Sequence, residues 1–183
     1  MRVAADRWLI ALLLPVAAIA LYLVLGEPTV LTGSVQQTSA ATLATHLRAQ
    51  PRDERAWILL ARELAEQDRF AESAQAYAAA IALPKAGRDA AVLAEYADVL
   101  GMAQGNSLQG EPTALIERAL LLNPQHAQAL ELAGSAAYER GDHAAAVRHW
   151  RALLAQLPEG SREAEELTAA IARSDRYARV RLP

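Results

Sequence analysis

The chain has 183 residues, a net charge of −3 and no cysteine. Its mild acidity gives no sign of the basic surface that nucleic-acid-binding proteins use. The absence of cysteine excludes disulfides, cysteine zinc sites and thiol chemistry by this chain. Hydrophobic residues make up 53% of the sequence but aromatic residues only 5%. Much of the apolar content is alanine, which favours close-packed helices over a sheet, so we predict an all-α fold.

An apolar segment near the N-terminus has the length of a membrane-spanning helix. The run from Trp8 to Leu25 contains no charged residue. As a helix it would extend over roughly 27 Å, close to the hydrocarbon thickness of a bilayer. We therefore predict a transmembrane anchor within residues 1–25. The alternative is a cleaved signal peptide, although the run is longer than the usual apolar core of such a peptide.

The charges around this apolar run predict its orientation. Arg2 and Arg7 precede it, and the next positively charged residue is Arg48. The positive-inside rule then predicts a single-pass protein of the inner (cytoplasmic) membrane with a cytoplasmic N-terminus. The rest of the chain would lie outside the cytoplasm, in the periplasm of a cell that has two membranes. A cleaved signal peptide would export the same part of the chain.

The segment after the apolar run is polar and contains glycine and proline, so we predict a linker over residues 26–38. Ser39 is a suitable residue to cap a short helix that would extend through Gln50.

An internal repeat of about 34 residues follows, which is the length of a tetratricopeptide repeat (TPR), a pair of antiparallel helices. The clearest copy begins at Ala127. Gly134 and Ala146 are small enough for its two helices to approach closely, and Gly141 lets the chain reverse between them. Trp150 supplies a large side chain to pack against the next helix. We predict a TPR domain over 39–174, with repeats at about 54–87, 90–126 and 127–160, a capping helix at 161–174 and a basic, loosely ordered tail at 175–183.

The two earlier copies depart from this pattern in small ways. In the first, Ser73 stands where the repeat usually has alanine. In the middle copy, the two helices are separated by about three extra residues. We expect these residues to form a long loop within 103–110, because insertions in repeat proteins fall in loops.

The sequence contains no arrangement of residues that indicates catalysis or metal binding. Its four histidines show no metal-ligand spacing, and we expect them to be solvated or to cap helices. They are His46, His126, His143 and His149. We therefore predict a protein that is not an enzyme and that needs no cofactor or metal. The alternative to a protein without a cofactor is one in which a histidine contacts haem.

A stack of TPRs presents the first helix of each pair on one concave face, where a peptide or a helix can bind. Counting Glu54, Ala90 and Ala127 as position 1 of the three repeats, that face is formed by positions 2, 5, 9 and 12 of each repeat. The predicted residues are Arg55, Ile58, Arg62 and Ala65 in the first repeat, Ala91, Ala94, Asp98 and Gly101 in the second, and Gln128, Glu131, Ser135 and Tyr138 in the third. The two arginines would pair with acidic groups, and Asp98 and Glu131 with basic groups.

Several stretches together resemble one family, the cytochrome c maturation proteins called CcmI or CycH. They are the apolar helix ending in LYLVLGEP, the loop and helix AQGNSLQGEPTALIERALLLNP, and the run ALELAGSAAYERGD. The TPR protein NrfG, which serves formate-dependent nitrite reductase, looks similar over the repeats. Full-length CcmI/CycH proteins begin with another membrane helix and a cytoplasmic loop, and this chain matches only their second membrane helix and their repeats.

The resemblance implies a chaperone that holds unfolded apocytochrome c in the periplasm. It would bind the C-terminal helical region of that client and present it to the haem-ligation complex of the membrane, without performing thioether chemistry. A general cell-envelope scaffold that assembles a different complex is the alternative.

Overall fold

A computed structural model describes residues 28–180, with side chains from Ser39 to Tyr177. The described part of the chain divides into two units, with the boundary between Ala41 and Thr42. The predicted membrane helix at Trp8–Leu25 lies outside the described residues. Within the described part, no helix combines the length and the apolar character needed to cross a bilayer.

Every regular element of the described part is helical, which confirms the predicted all-α class there. The α-helices are α1 (Pro28–Ala49), α2 (Glu54–Glu66), α3 (Phe70–Ile81), α4 (Ala90–Ala103), α5 (Glu111–Leu122), α6 (Ala127–Glu139), α7 (His143–Leu154) and α8 (Arg162–Val180). A short 3-10 turn, Ala86–Arg88, joins α3 to α4.

The helices of the second unit pack as three successive pairs, α2 with α3, α4 with α5 and α6 with α7. These pairs begin at Glu54, Ala90 and Ala127, where the three sequence repeats begin. Each pair packs on the next, the first helices α4 and α6 also touch each other, and α8 packs on α7. This is the arrangement of a TPR stack with a capping helix.

Side-chain caps mark where most of these helices begin, because the first N–H groups of a helix have no partner within it. In each case a side chain accepts a hydrogen bond from a backbone N–H two or three residues later, at 2.9–3.3 Å. The capping residues are Asp53, Asp89, His126, Asp142 and Ser161. The cap at His126 is of the kind that the sequence predicted for a histidine.

Asp53 also links α1 to α2. Its carboxylate lies 2.9 Å from Nε2 of His46, near the end of α1. The hydrogen bond with His46, followed by the one from the Ala56 N–H, lowers the pKa of Asp53. The carboxylate therefore stays ionised and keeps its capping role.

The closest approach between helices in the third repeat depends on Gly134. A Cβ atom built on Gly134 would overlap Nε1 of Trp150, at a distance closer than real side chains come. Trp150 is buried beside fully buried Ala146, in a cluster that includes Ile171 of α8. Gly141, between α6 and α7, has φ of 75°, a conformation that glycine adopts at little cost. The expectation that positions 134 and 146 must be small is confirmed.

Ser73 shows how the first repeat accommodates a polar residue at a fully buried position. The side chain is fully buried, and its hydroxyl donates a hydrogen bond of 2.6 Å to the Ala61 carbonyl of the partner helix. Because the hydroxyl has a partner, serine in place of the usual alanine does not leave an unsatisfied polar group in the core.

The long loop of the middle repeat, between α4 and α5, connects that repeat to the next one. Leu108 is buried against Gly101 of α4. The Leu108 N–H donates a hydrogen bond of 3.0 Å to the carboxylate of Glu139 in α6. The Gln109 side chain donates to the Ala136 carbonyl of the same helix. The inserted residues therefore have a structural role between repeats.

The structure differs from the predicted domain plan at both ends. Residues from Pro28 onward, predicted as linker, belong to α1, and a proline is tolerated in a first helical turn because no intrahelical partner is needed for its missing N–H. The capping helix does not end at Ser174 but continues to Val180. Contacts with α7 hold this extension, since Asp175 accepts a hydrogen bond from Arg151 and the Tyr177 ring stacks on His143.

We predict that Gly134→Ala lowers the free energy of unfolding by about 1–3 kcal/mol, because the added methyl group meets the rigid indole of Trp150. Gly101→Ala is a matched control. Its new methyl group meets the flexible end of the Leu108 side chain and lies 3.3 Å from the Ser107 backbone oxygen, so its effect should be smaller than that of Gly134→Ala. Urea unfolding of the three proteins measures both effects. Equal stability of the two variants would contradict this account of the core.

Candidate functional site

A cavity of about 460 Å³ lies between α6, α7 and α8. This size is within the range of sites that bind ligand groups in other proteins. Its lining residues are Ala127, Gln128, Glu131, Ser135, Trp150, Leu153, Leu157, Glu163, Glu166, Leu167 and Ala170. The cavity is therefore built from the last repeat and the capping helix.

One wall of the cavity is the predicted binding face of α6. Gln128, Glu131 and Ser135 are three and four residues apart, which places them on one side of a helix. All three line the cavity, as does Ala127 at the start of the helix. Three of the four residues predicted for the third repeat are thus brought together.

The cavity contains a continuous apolar surface. Trp150, Leu153 and Leu157 contribute from α7 and the residues that follow it, and Leu167 and Ala170 contribute from α8. Trp150 and Leu153 are buried, so this surface is fixed by the core behind it.

Tyr138, the fourth residue predicted for the third repeat, lies beyond the lining residues, one turn after Ser135 along α6. Its ring centroid is 5.9 Å from that of Trp150 and 5.2 Å from that of His143. The ring is 39% exposed. It extends the aromatic surface beyond the cavity.

The charge of the cavity is negative. Glu131 stands on α6, whereas Glu163 and Glu166 stand on α8, and the lining includes no lysine or arginine. Glu166 accepts a hydrogen bond of 2.7 Å from Arg162 of its own helix. Both of these side chains are largely exposed, so the pair is weak and easily exchanged for another.

The predicted residues of the first repeat are arranged differently. The Arg62 guanidinium donates two hydrogen bonds, of 2.9 and 2.8 Å, to the Glu95 carboxylate of α4. The Tyr77 hydroxyl donates to the same carboxylate at 2.8 Å. Burial, with a smaller contribution from Glu95, raises the pKa of Tyr77. Arg62 therefore links two repeats, and a client carboxylate would have to compete with Glu95 for it.

The other predicted residues of the first repeat differ in exposure. Arg55 is exposed, whereas Ile58 and Ala65 are half-buried.

The middle repeat offers little of the predicted surface. Ala94 is fully buried and Gly101 is buried under Leu108, so neither can contact a client. The reason is that α4 packs against helices of both neighbouring repeats. Ala91 is half-buried. Asp98 is also half-buried and accepts a hydrogen bond of 3.5 Å from Gln128, and burial raises its pKa.

The capping helix contributes site residues that the sequence prediction missed. Glu163, Glu166, Leu167 and Ala170 line the cavity, although the sequence indicated only a solvating cap. The available signal was the apolar stripe at Leu167 and Ala170, which has the spacing of a helix face that packs on a neighbour.

Three of the four histidines make structural contacts in the described part of the chain, beginning with the His46–Asp53 pair described above. His126 caps α6, and His143 packs between the rings of Tyr138 and Tyr177. Burial lowers the pKa of His149, so the charged form is disfavoured there. Among the described residues, no group of three or more histidine or acidic side chains is placed to hold a metal ion.

Residues 28–164 match the family described as the cytochrome c-type biogenesis protein H TPR domain. The chain belongs to this CycH family. The match covers α1, all three repeats and the start of the capping helix.

Two relatives are called cytochrome c-type biogenesis protein CycH. The one from Pseudomonas aeruginosa is 31% identical over 156 residues, which are 81% of this chain and 38% of the relative. The one from Bradyrhizobium diazoefficiens is 29% identical over 160 residues, which are 79% of this chain and 42% of the relative. The CycH-family chain described here thus spans about two fifths of the length of these relatives.

Two solved structures of MamA share the fold of this CycH-family chain. Each superposes with a TM-score of 0.63 at 14% sequence identity. One match covers 81% of this chain and 92% of MamA, and the other covers 87% of both. At this identity the likeness concerns the helical-repeat fold alone.

We predict that Asp98→Asn stabilises the protein at neutral pH. The raised pKa of Asp98 means that its ionised form is disfavoured in the folded state, so the cost is present above the folded-state pKa and vanishes at low pH. The asparagine oxygen can still accept from Gln128. Because the group is partly exposed, we expect a gain below about 1 kcal/mol.

Thermal unfolding of Asp98→Asn at pH 7.5 and pH 4 measures this gain. It should shrink toward the lower pH. Glu66→Gln, at an exposed position on α2, controls for the change in net charge. A gain that is the same at both pH values would contradict the burial argument.

Proposed function

We propose that this CycH-family chain is a membrane-anchored TPR chaperone for cytochrome c biogenesis. In this proposal it binds apocytochrome c through the C-terminal helical region of that client and delivers it to the haem-ligation complex. Family membership supports the biogenesis role. The cavity between α6, α7 and α8 is the observation that carries the binding role.

The chemistry of the cavity suits a helical client. Its apolar surface, from Trp150 to Leu167, can cover the apolar face of an amphipathic helix, which is a common mode of peptide recognition. Small side chains at Ala127, Ser135 and Ala170 leave room for that helix to approach. An unfolded client would gain a covered apolar face, and the chaperone needs no catalytic group to provide it.

The proposed location follows from the sequence. The apolar run before α1 has the length to anchor the chain in the inner membrane, and the two arginines before it favour a cytoplasmic N-terminus. The repeats would then face the periplasm, where an exported apocytochrome c can meet them, and the anchor would keep them near a membrane-embedded ligation complex.

A general cell-envelope scaffold is the second candidate, and exposed apolar residues outside the cavity favour it. Leu121 is 83% exposed and Leu122 is 49% exposed, both at the end of α5. Such residues are available for contact with another protein. Deletion of the gene followed by staining for covalent haem separates the two candidates, because only the chaperone proposal predicts loss of c-type cytochromes.

Binding of a client peptide tests the chaperone proposal. We predict that the full chain, purified in detergent, binds a peptide of the C-terminal helix of a c-type cytochrome. Ser135→Phe should weaken this binding by about ten-fold or more, because the ring fills the cavity between α6 and α8. Fluorescence anisotropy measures the affinity, and the N-terminal helix of the same cytochrome is the control peptide.

Circular dichroism must show that Ser135→Phe keeps the helical content of the unchanged chain. If the folded chain does not bind the C-terminal peptide even at high micromolar concentration, the chaperone proposal is wrong.

A further inference from the structure

We infer that the cavity between α6, α7 and α8 selects client helices whose apolar anchor residues are flanked by lysine or arginine. This inference rests on the proposed function, and it adds the charge and the length of the segment that the site takes. The observations that carry it are the two acidic walls, the apolar surface between them and the length of the cavity.

The dimensions of the cavity set the length of the bound segment. Along α8, the lining extends from Glu163 to Ala170, and along α6 from Ala127 to Ser135. At 1.5 Å per residue, each wall is roughly 10–12 Å long, or about two helical turns. A client helix that lies in the cavity would therefore present apolar side chains at positions i, i+3 or i+4, and i+7.

The placement of the carboxylates decides the charge of that client. Glu131 is on one wall, and Glu163 and Glu166 are on the other. When the apolar face of the client helix lies between the two walls, the residues that flank this face lie near the carboxylates on either side. Three glutamates and no basic residue give the lining a formal charge of −3. Lysine or arginine at the flanking positions would be attracted, and glutamate or aspartate there would be repelled.

The pairing of Glu166 with Arg162 does not cancel this preference. Arg162 is one positive charge against three negative charges, and it is not among the lining residues. A basic side chain from the client can replace it, since an exposed pair of this kind contributes little.

The same charge argues against a second copy of this chain as the occupant. The whole chain carries a net charge of −3, so a copy would be repelled overall, and its basic residues 175–183 are the part that could approach an acidic site. A basic amphipathic helix is the occupant that matches both the apolar surface and the negative charge of the cavity.

Two designed peptides test this inference. Both are helical, about 15 residues long, and carry leucine at positions i, i+4 and i+7. One has lysine at the flanking positions and the other has glutamate. With the full chain in detergent at low ionic strength, we expect the lysine peptide to bind at least about five- to ten-fold more tightly. The difference should shrink in higher salt, because the carboxylates are exposed.

A pair of charge-matched variants localises the effect. Glu131→Gln with Glu163→Gln should remove most of the preference for the lysine peptide. Glu66→Gln with Glu117→Gln removes the same charge from exposed positions on α2 and α5, and it should leave the preference unchanged. If both double variants lower the preference equally, only the net charge of the chain matters and the inference is wrong.

The cavity itself is tested with Ser135→Phe, which should weaken both peptides. Equal binding of the lysine peptide to the unchanged chain and to folded Ser135→Phe would place the peptide elsewhere and overturn the inference. Concentration-dependent self-association that Ser135→Phe abolishes would assign the cavity to a second copy and would also overturn it.

These outcomes are distinguishable from failure of the proposed function. If the cytochrome peptide binds but the designed peptides show no charge preference, the chaperone proposal stands and the inference fails. If the lysine peptide binds in the cavity but the cytochrome peptide does not bind at all, the site has the inferred chemistry and the chaperone proposal fails.

Discussion

The packing of Trp150 against Gly134 is the contact on which the last repeat and its cavity depend. The indole occupies space that exists only because residue 134 has no side chain. In that position it packs against Ile171 of the capping helix and forms part of the cavity surface. Trp150 therefore fills the core of the last repeat and packs against α8. It also forms part of the surface that a client would contact. Because well-packed cores resist change, this surface is held in place before any client arrives.

Polar contacts between repeats explain why the open site lies at the last repeat. Between the first two repeats, Arg62 and Tyr77 both bind Glu95. Between the second and third, the Leu108 N–H binds Glu139, and Asp98 accepts from Gln128. Apart from Gln128, which also lines the cavity, these contacts use side chains and loops that would otherwise be available to a partner. Between α6 and α8, in contrast, apolar side chains remain open to a cavity, with carboxylates at its edge. The site therefore lies on a well-packed repeat, and its apolar surface is not covered by other described residues.

The sequence predicted the repeats well because their signals are local. Small residues at 134 and 146 and the reversal at Gly141 each act within a few residues of the contacts that they permit. The sequence predicted less where distant residues decide. Pairing of Arg62 with Glu95 and burial of Ala94 depend on how successive repeats pack, which a single helix face does not show. The extension of α8 beyond Ser174 depends on Arg151 and His143 of another helix. For the same reason the role of α8 as a cavity wall was missed, although its apolar stripe was visible.

Site-specific photocrosslinking in cells tests whether a cytochrome client binds between α6 and α8. A photoreactive amino acid would be placed at Glu131 or at Glu163, on the two walls of the cavity, and at Glu117 on α5 as the control. In cells that produce a c-type cytochrome, we expect crosslinks to apocytochrome c from both cavity positions and not from position 117. Crosslinking from position 117 alone, or no crosslinks from the cavity in a strain that still matures its cytochromes, would contradict this expectation.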